Sequence, residues 1–192
     1  MQYYVVKYSG PFGFIKPWTA VRDSETFSQQ FLTPSIVEGM EKKLFPELLE
    51  ETNGGTVICR HRLNYCGVDI QLERTWSKGG FKYTKEKGIY KSNQSTIKRG
   101  VLLMPHLYLA FDERTYAERA SQQTICLCRN EDLLFPDEVK EMQEAEFNGI
   151  NGFELEPADA DTGFKVGHNR FAEGRSMYGR LVITGYPIRN EG

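Results

Sequence analysis

The 192-residue sequence has no stretch approaching the roughly 18 consecutive apolar residues that a membrane-crossing helix needs. That excludes a helical membrane protein. The opening MQYYVVKY carries no apolar run of secretory-signal length, so a cytoplasmic protein without a membrane partner is expected. Cysteine is scarce. Cys59, Cys66, Cys126 and Cys128 are too few for a disulfide scaffold in a chain of this size. The spacings Cys59-x6-Cys66 and Cys126-x-Cys128 do not match structural zinc sites, so no metal is expected, and the cysteines read as small buried hydrophobes. There is no glycine-rich phosphate loop and no Ser/His/Asp arrangement, and no cofactor is implied. Internal repeats and low-complexity linkers are missing, which leaves one domain with at most a small appendage. The 40% apolar content is low for a large core, while 12% aromatics keeps the chain among folded proteins.

What the sequence does have is charge, unevenly placed. The net charge of −2 hides +7 over residues 56–100, −2 before them and −7 after them. The basic stretch interleaves its cations with Tyr65, Trp76, Phe81, Tyr83 and Tyr90. Cations neutralise phosphates and aromatic faces stack on unpaired bases, so this stretch is a candidate RNA-gripping arm. Its candidate contacts include Arg60, Arg62, Trp76 and Tyr83. The plain alternative is a solvated hairpin whose lysines keep it soluble. Residues 131–161 hold eleven acids against the single base Lys140. They are either a solvated face or a surface for a basic partner.

Along the chain, residues 2–8 read as a buried strand ended by Ser9-Gly10-Pro11. Residues 12–31 show no sustained period and carry Phe12, Phe14, Trp18, Phe27 and Phe31. Long loops of this kind are usually functional, though the favoured reading of the aromatics is that they pin the loop to the core. A helix is expected from Ser35 as N-cap, with Glu38 completing a capping box and Ile36, Val37, Met40 and Leu44 on one face. Gly39 inside it implies the close approach of another backbone, either a packed strand or RNA. After one extra turn at residues 46–51, strands are expected at 56–60 and 63–73, the second half-buried through Val68, Ile70 and Leu72. Residues 75–99 have too few aliphatics for a core of their own and read as a protruding hairpin. A strand pair interrupted by Pro105 follows at 101–111, then a short helix capped by Asp112, a strand at 124–128, and a last strand around Leu181, Val182 and Ile183. The expected fold class is α+β, a ferredoxin-like (RRM-like) βαββαβ domain with an inserted basic thumb hairpin and a small β-rich extension at its end. The domain covers residues 1–135, with the thumb at about 74–99, and residues 136–192 pack on it as the extension.

Three stretches go further. They are the opening strand with Gly10-Pro11-Phe12, the long loop and FLTPSIVEGMEKKLF; the run Gln94-Ser95-Thr96-Ile97-Lys98-Arg99-Gly100-Val101-Leu102; and TICLCRNEDL at 124–133. In order and spacing they resemble the CRISPR-associated Cas-five family, a subunit of type I Cascade effector complexes. The resemblance implies a non-catalytic subunit that caps the 5′ end of the crRNA by binding its repeat-derived handle. It implies contacts with the Cascade backbone subunit and large subunit, and with target DNA through the assembled complex. The residues it carries over are Arg74, Lys78, Lys82, Lys85, Lys98 and Arg99 of the thumb, Lys16 and Arg22 of the first loop, and Arg129 of the third motif. Cys128 stands where the family usually has glycine.

One branch of that family, the subtype I-C subunit, cuts precursor RNA without metal, so a metal-independent endoribonuclease is the alternative function. His61, between Arg60 and Arg62, is in an environment that favours a neutral imidazole, as a general base requires. The favoured reading is nonetheless a histidine that contacts RNA or solvent without chemistry. His106, after Pro105, reads as a core or edge histidine. No catalytic residue is assigned.

Overall fold

The computed structural model describes residues 1–19, 24–49, 56–75, 81–84, 88–92 and 95–190. In chain order the elements are β1 Gln2–Ser9, β2 Phe12–Gly13, β3 Glu25–Phe27, α1 Pro34–Leu44, a 3-10 turn Pro46–Leu49, β4 Ile58–Asn64, β5 Gly67–Thr75, β6 Phe81–Thr84, β7 Ile89–Ser92, β8 Ser95–Leu103 and β9 His106–Phe111. They continue with α2 Arg114–Ala120, β10 Ile125–Cys126, β11 Leu133–Pro136, β12 Lys140–Gln143, α3 Glu144–Asn148, β13 Gly152–Ala158, β14 Phe164–Asn169 and β15 Arg175–Thr184. The class is α+β, with mostly antiparallel sheet and few helices.

The main sheet runs β10-β11-β1-β9-β4-β13-β15-β14, with β12 joining β1 beside β11. Strand β1 is central because its Tyr and Val side chains serve both faces. Val6 and Tyr8 face the core beneath α1 and α2, while Tyr3 and Val5 pack with Phe147 of α3. The Tyr8 hydroxyl donates to the Ala120 carbonyl at 2.7 Å, which satisfies a phenol buried away from water. Helix α1 buries Val37, Met40 and Leu44 at helical spacing. Buried beside them, the Glu41 carboxylate accepts the Ile58 N–H at 2.6 Å and holds the start of β4. Burial pushes this carboxyl up to about 7.

Several local expectations are corrected. The N-cap of α1 is Thr33, with Pro34 in the first turn and no side-chain cap, so Ser35 lies inside the helix and no capping box forms. Loop 12–31 contains β2 and β3, which line one edge of β8 while β5 lines the other. A strand through 63–73 breaks at Tyr65 and Cys66, where the chain leaves the main sheet for the hairpin. Val68, Ile70 and Leu72 are exposed rather than half-buried, because nothing among the described residues covers that face of β5. The runs either side of Pro105 are not a pair. Strand β8 belongs to the second sheet and β9 to the first, with a corner at Met104, whose φ of 46° lies in the left-handed region. The α2 N-cap is Glu113, not Asp112.

The hairpin of β5 and β8 pairs residue by residue from Gly67 with Leu103 to Thr75 with Ser95, and β6 and β7 pair separately beyond it. Its base thus starts well before residue 74. The later strands build onto both sides of the sheet: β12 on β1, and β13 on β4, continued by β15 and β14.

Candidate nucleic-acid interface

A groove runs between α1, the first loop, the turn after β10, and the end of β14. It consists of two adjoining cavities of about 450 and 170 Å³ that share Lys16, Ser35, Ile36 and His168. The larger adds Lys43, Arg170, Cys126, Cys128 and Asn130, and the smaller adds Trp18 and Gln29. Among the described residues that line either cavity there is no aspartate or glutamate. Lys16, Lys43, Arg170 and His168 are all exposed. Such a concentration of one sign in a concave surface raises the local concentration of anions.

The local folding explains each position. Lys43 lies one turn after Gly39 on the groove side of α1, and its ammonium donates to the Cys126 Sγ at 3.3 Å. Gly39 lets the Arg170 guanidinium come close: an added Cβ would lie 2.9 Å from its Nη2. The approaching group is thus a side chain, not the backbone expected from the sequence. Arg170 also stacks on Phe171, 4.8 Å from the ring centre, and Lys42 lies 4.1 Å from the same ring. His168 donates Nδ1–H to the Gly174 carbonyl at 2.9 Å, which fixes the ring and makes Nε2 its other hydrogen-bonding atom. Trp18 meets His168 edge-on at 6.3 Å, with Lys165 5.8 Å from the indole. Gly167, at φ 131°, lies against Trp18, where an added Cβ would be 3.3 Å from the indole side chain. An exposed indole beside cations is a surface on which a base can stack.

The first loop therefore divides its aromatics. Phe14 is buried as a core pin and Trp18 faces the groove. Phe27 is exposed on the hairpin and lies over Gly100, where an added Cβ would meet its ring at 2.1 Å.

Of the residues singled out from the sequence, Lys16 lies in the groove. Arg74 and Lys98 are exposed on the hairpin, and the pleat puts them on the face that carries Leu72 and Ile70. Arg22, Trp76, Lys78 and Lys85 lie outside the described residues. Lys82 and Tyr83 belong to β6, whose side chains are likewise outside the description.

The remaining arginines are held by carboxylates within the chain. Arg99 and Arg129 lie on Phe14 at 5.5 and 5.4 Å and both pair with Glu73. Arg129 also donates Nε–H to Asp132 at 2.9 Å and an Nη2 proton to Gln71 at 2.9 Å. The cluster clamps the hairpin base to the first loop and to the turn after β10. These bonds hold the Arg129 guanidinium well above its ordinary range.

On β4, Arg60 donates to Glu154 through Nε at 2.6 Å and Nη2 at 2.7 Å. Arg62, buried, pairs with the same carboxylate at 3.0 Å and donates to Thr184 Oγ1. Hydrogen bonding to Arg60 and the charges of both arginines outweigh burial and keep Glu154 below the usual carboxylate range. Glu154 and Asp132, read from the sequence as part of an acidic surface, are both buried. His61 between the arginines is 7% exposed, and burial, reinforced by Arg62 and Arg60, pushes its imidazole down to about 4. His106 and Arg189 are 3.0 Å apart, nitrogen to nitrogen.

Lys43, Trp18, His168 and Arg170 were not selected as contacts from the sequence. Lys43 had a signal, one helical turn after Gly39. His168 and Arg170 had none, because they arrive from the acidic C-terminal region by the pairing of β14 with β15.

Among the described residues, no three His, Cys, Asp or Glu side chains gather as a metal would require, and no helix is long and apolar enough to cross a membrane. No protein-family model matches the chain, and no curated protein does. Among solved structures, a chain of a CRISPR RNA-guided surveillance complex is similar in fold over 96% of this chain and 91% of its own length, with a TM-score of 0.55 and 12% sequence identity.

Proposed function

We propose that the chain is a non-catalytic subunit of a type I CRISPR effector, a Cas-five-like protein that caps the crRNA 5′ end by binding its repeat-derived handle. The observation that carries this reading is the groove that gathers Lys16, Lys43, Arg170 and Trp18, with no carboxylate among its described lining residues, set on a fold shared with a chain from an RNA-guided complex. Strand order supports the fold half of the reading. The segments β1-α1-β4-β9-α2-β11 lie in the spatial order β11-β1-β9-β4, all antiparallel, as expected of a ferredoxin-like βαββαβ unit. In this account Lys16, Lys43 and Arg170 neutralise handle phosphates, Trp18 stacks on a base, and the thumb hairpin reaches further along the strand. The exposed acids of residues 131–161 are left for the backbone and large subunits, and target DNA is met through the assembled complex.

The test is co-purification with the effector subunits, sequencing of the bound RNA and crosslink mapping. Crosslinks from Trp18, Lys43 or Arg170 to the first nucleotides of a common 5′ handle are expected. RNA without a common 5′ end, or crosslinks that avoid the groove, would overturn the reading.

A metal-independent endoribonuclease is the second reading, and one observation favours it. His168 presents Nε2 beside Lys16 and Arg170, whereas His61 is buried away from solvent. Cleavage of a repeat RNA in EDTA by the wild type but not by His168→Ala would establish it. Equal RNA integrity with both proteins is the outcome that the cap role predicts.

A further inference from the structure

Two thiols open into the groove and have no part in holding RNA. Cys126 ends β10, Cys128 follows two residues later, and both line the cavity of about 450 Å³. Cys128 is exposed and Cys126 partly so, in place of the buried hydrophobes expected from the sequence. The cause is local. Leu127 between them is buried in the core beside Gly13. Side chains alternate along an extended chain, so the two neighbours of Leu127 turn outward together. In a straight strand, residues two apart are separated by roughly 6.6 Å. The chain bends at Leu127 and shortens that span. It then falls within the range of about 4.4–6.8 Å between Cα atoms that a disulfide needs.

Charge selects the reagent. The Lys43 ammonium lies 3.3 Å from Cys126 Sγ, so a thiolate there has a counter-ion. Lys16 and Arg170 line the same cavity, and its described lining residues include no aspartate or glutamate. Anions are concentrated in such a cavity and cations are repelled. Cys59 gives an internal reference. It is also free and exposed, but it lies on β4 in a cleft whose lining includes Glu154 and Glu156.

We propose that Cys126 and Cys128 form a thiol–disulfide exchange site for a small disulfide that carries carboxylates. Cys126 first loses to solvent the proton that it directs at the Asn130 carbonyl, 4.0 Å away. Its thiolate attacks one sulfur of the reagent, and the other sulfur leaves as a thiolate. Cys128 loses its proton in turn, attacks Cys126 Sγ and displaces the second half of the reagent as a thiolate. Two cysteine thiols are oxidised to one disulfide while the reagent's disulfide is reduced to two thiols. Lys16 and Arg170 hold the reagent's carboxylates during the first attack. The assignment does not rest on RNA binding by the groove.

The test incubates the reduced full chain with oxidised glutathione, which is anionic, or with cystamine, a dicationic disulfide, and follows each cysteine by peptide mass spectrometry. With oxidised glutathione, Cys126 and Cys128 become joined to each other. They react at least about tenfold faster than Cys59, the low end of enhancement by focused charge. With cystamine the preference over Cys59 is lost, and it is lost with oxidised glutathione in the Lys16→Ala/Arg170→Ala double variant. Cys128→Ser stops the reaction at a mixed disulfide on Cys126. Oxidation of Cys126 no faster than Cys59, the same preference with cystamine, or a mixed disulfide that persists in the wild type would each overturn the proposal.

Discussion

Two cationic regions of this chain have opposite fates. On β4, Arg60 and Arg62 are drawn inward and share one buried carboxylate, Glu154. At the groove, Lys16, Lys43 and Arg170 stay exposed, and no carboxylate lines their cavities among the described residues. Local composition points the other way, because β4 opens the most basic stretch of the sequence while Arg170 lies in the acidic third. What decides the outcome is a partner distant in sequence: Glu154 lies 94 residues after Arg60. Where the fold carries an acid to a cation, local composition no longer says what that cation can contact.

The largest effect that can break this contrast concerns Glu154. Glu154→Gln leaves two arginine charges without their counter-ion, and a loss of about 3–5 kcal/mol is expected in denaturant unfolding. A loss below about 1 kcal/mol would mean that water already solvates the β4 arginines, on the scale of exposed pairs. Next comes the groove. Replacing Lys16, Lys43 and Arg170 together with alanine should leave stability nearly unchanged but weaken handle-RNA binding severely at moderate salt. Each lost phosphate contact removes roughly 0.7 from the salt slope for a single strand.

Gly39 sharpens the comparison at smaller scale. Gly39→Ala should stabilise α1 by up to about 1 kcal/mol, yet its methyl must displace the Arg170 guanidinium. Higher thermal stability with weaker RNA binding is expected, and a gain in both would exclude Arg170 as a contact. A further effect, confined to a pH window, is set at Glu41. Its folded-state value of about 7 lies above the ordinary 4.5, so the folded protein holds the proton more tightly than the unfolded chain. Its contribution to stability is full below pH 4.5 and is lost as pH rises through 7. Glu41→Gln should therefore match the wild type in thermal denaturation near pH 4, gain over it between pH 4.5 and 7, and hold that gain above pH 7. A gain already present at pH 4 would contradict this linkage.

As far as α2 the main elements were legible in the sequence because they rest on periodicity, whereas β11, β12, α3, β13 and β14 were not read from residues 133–169. Val37, Met40 and Leu44 mark α1, and the Tyr/Val run marks β1. Boundaries were less so: Pro34 moved the helix start to Thr33, and the corner at Met104 sent two adjacent apolar runs into different sheets. Val68, Ile70 and Leu72 alternate as a half-buried strand would, but alternation cannot say whether another layer arrives to cover it. The site was legible only where its signal is local, at Lys16 and Gly39. His168 and Arg170 enter through long-range strand pairing, and the pairing of Arg60, Arg62 and Arg129 depends on acids that the fold carries to them.

The most direct test measures the salt dependence of handle-RNA binding for the wild type, the Lys16/Lys43/Arg170 alanine variant and Arg60→Ala. The account predicts a slope lower by about two units for the groove variant and unchanged for Arg60→Ala, from roughly 0.7 per phosphate contact. An unchanged slope for the groove variant, with a reduced one for Arg60→Ala, would contradict it.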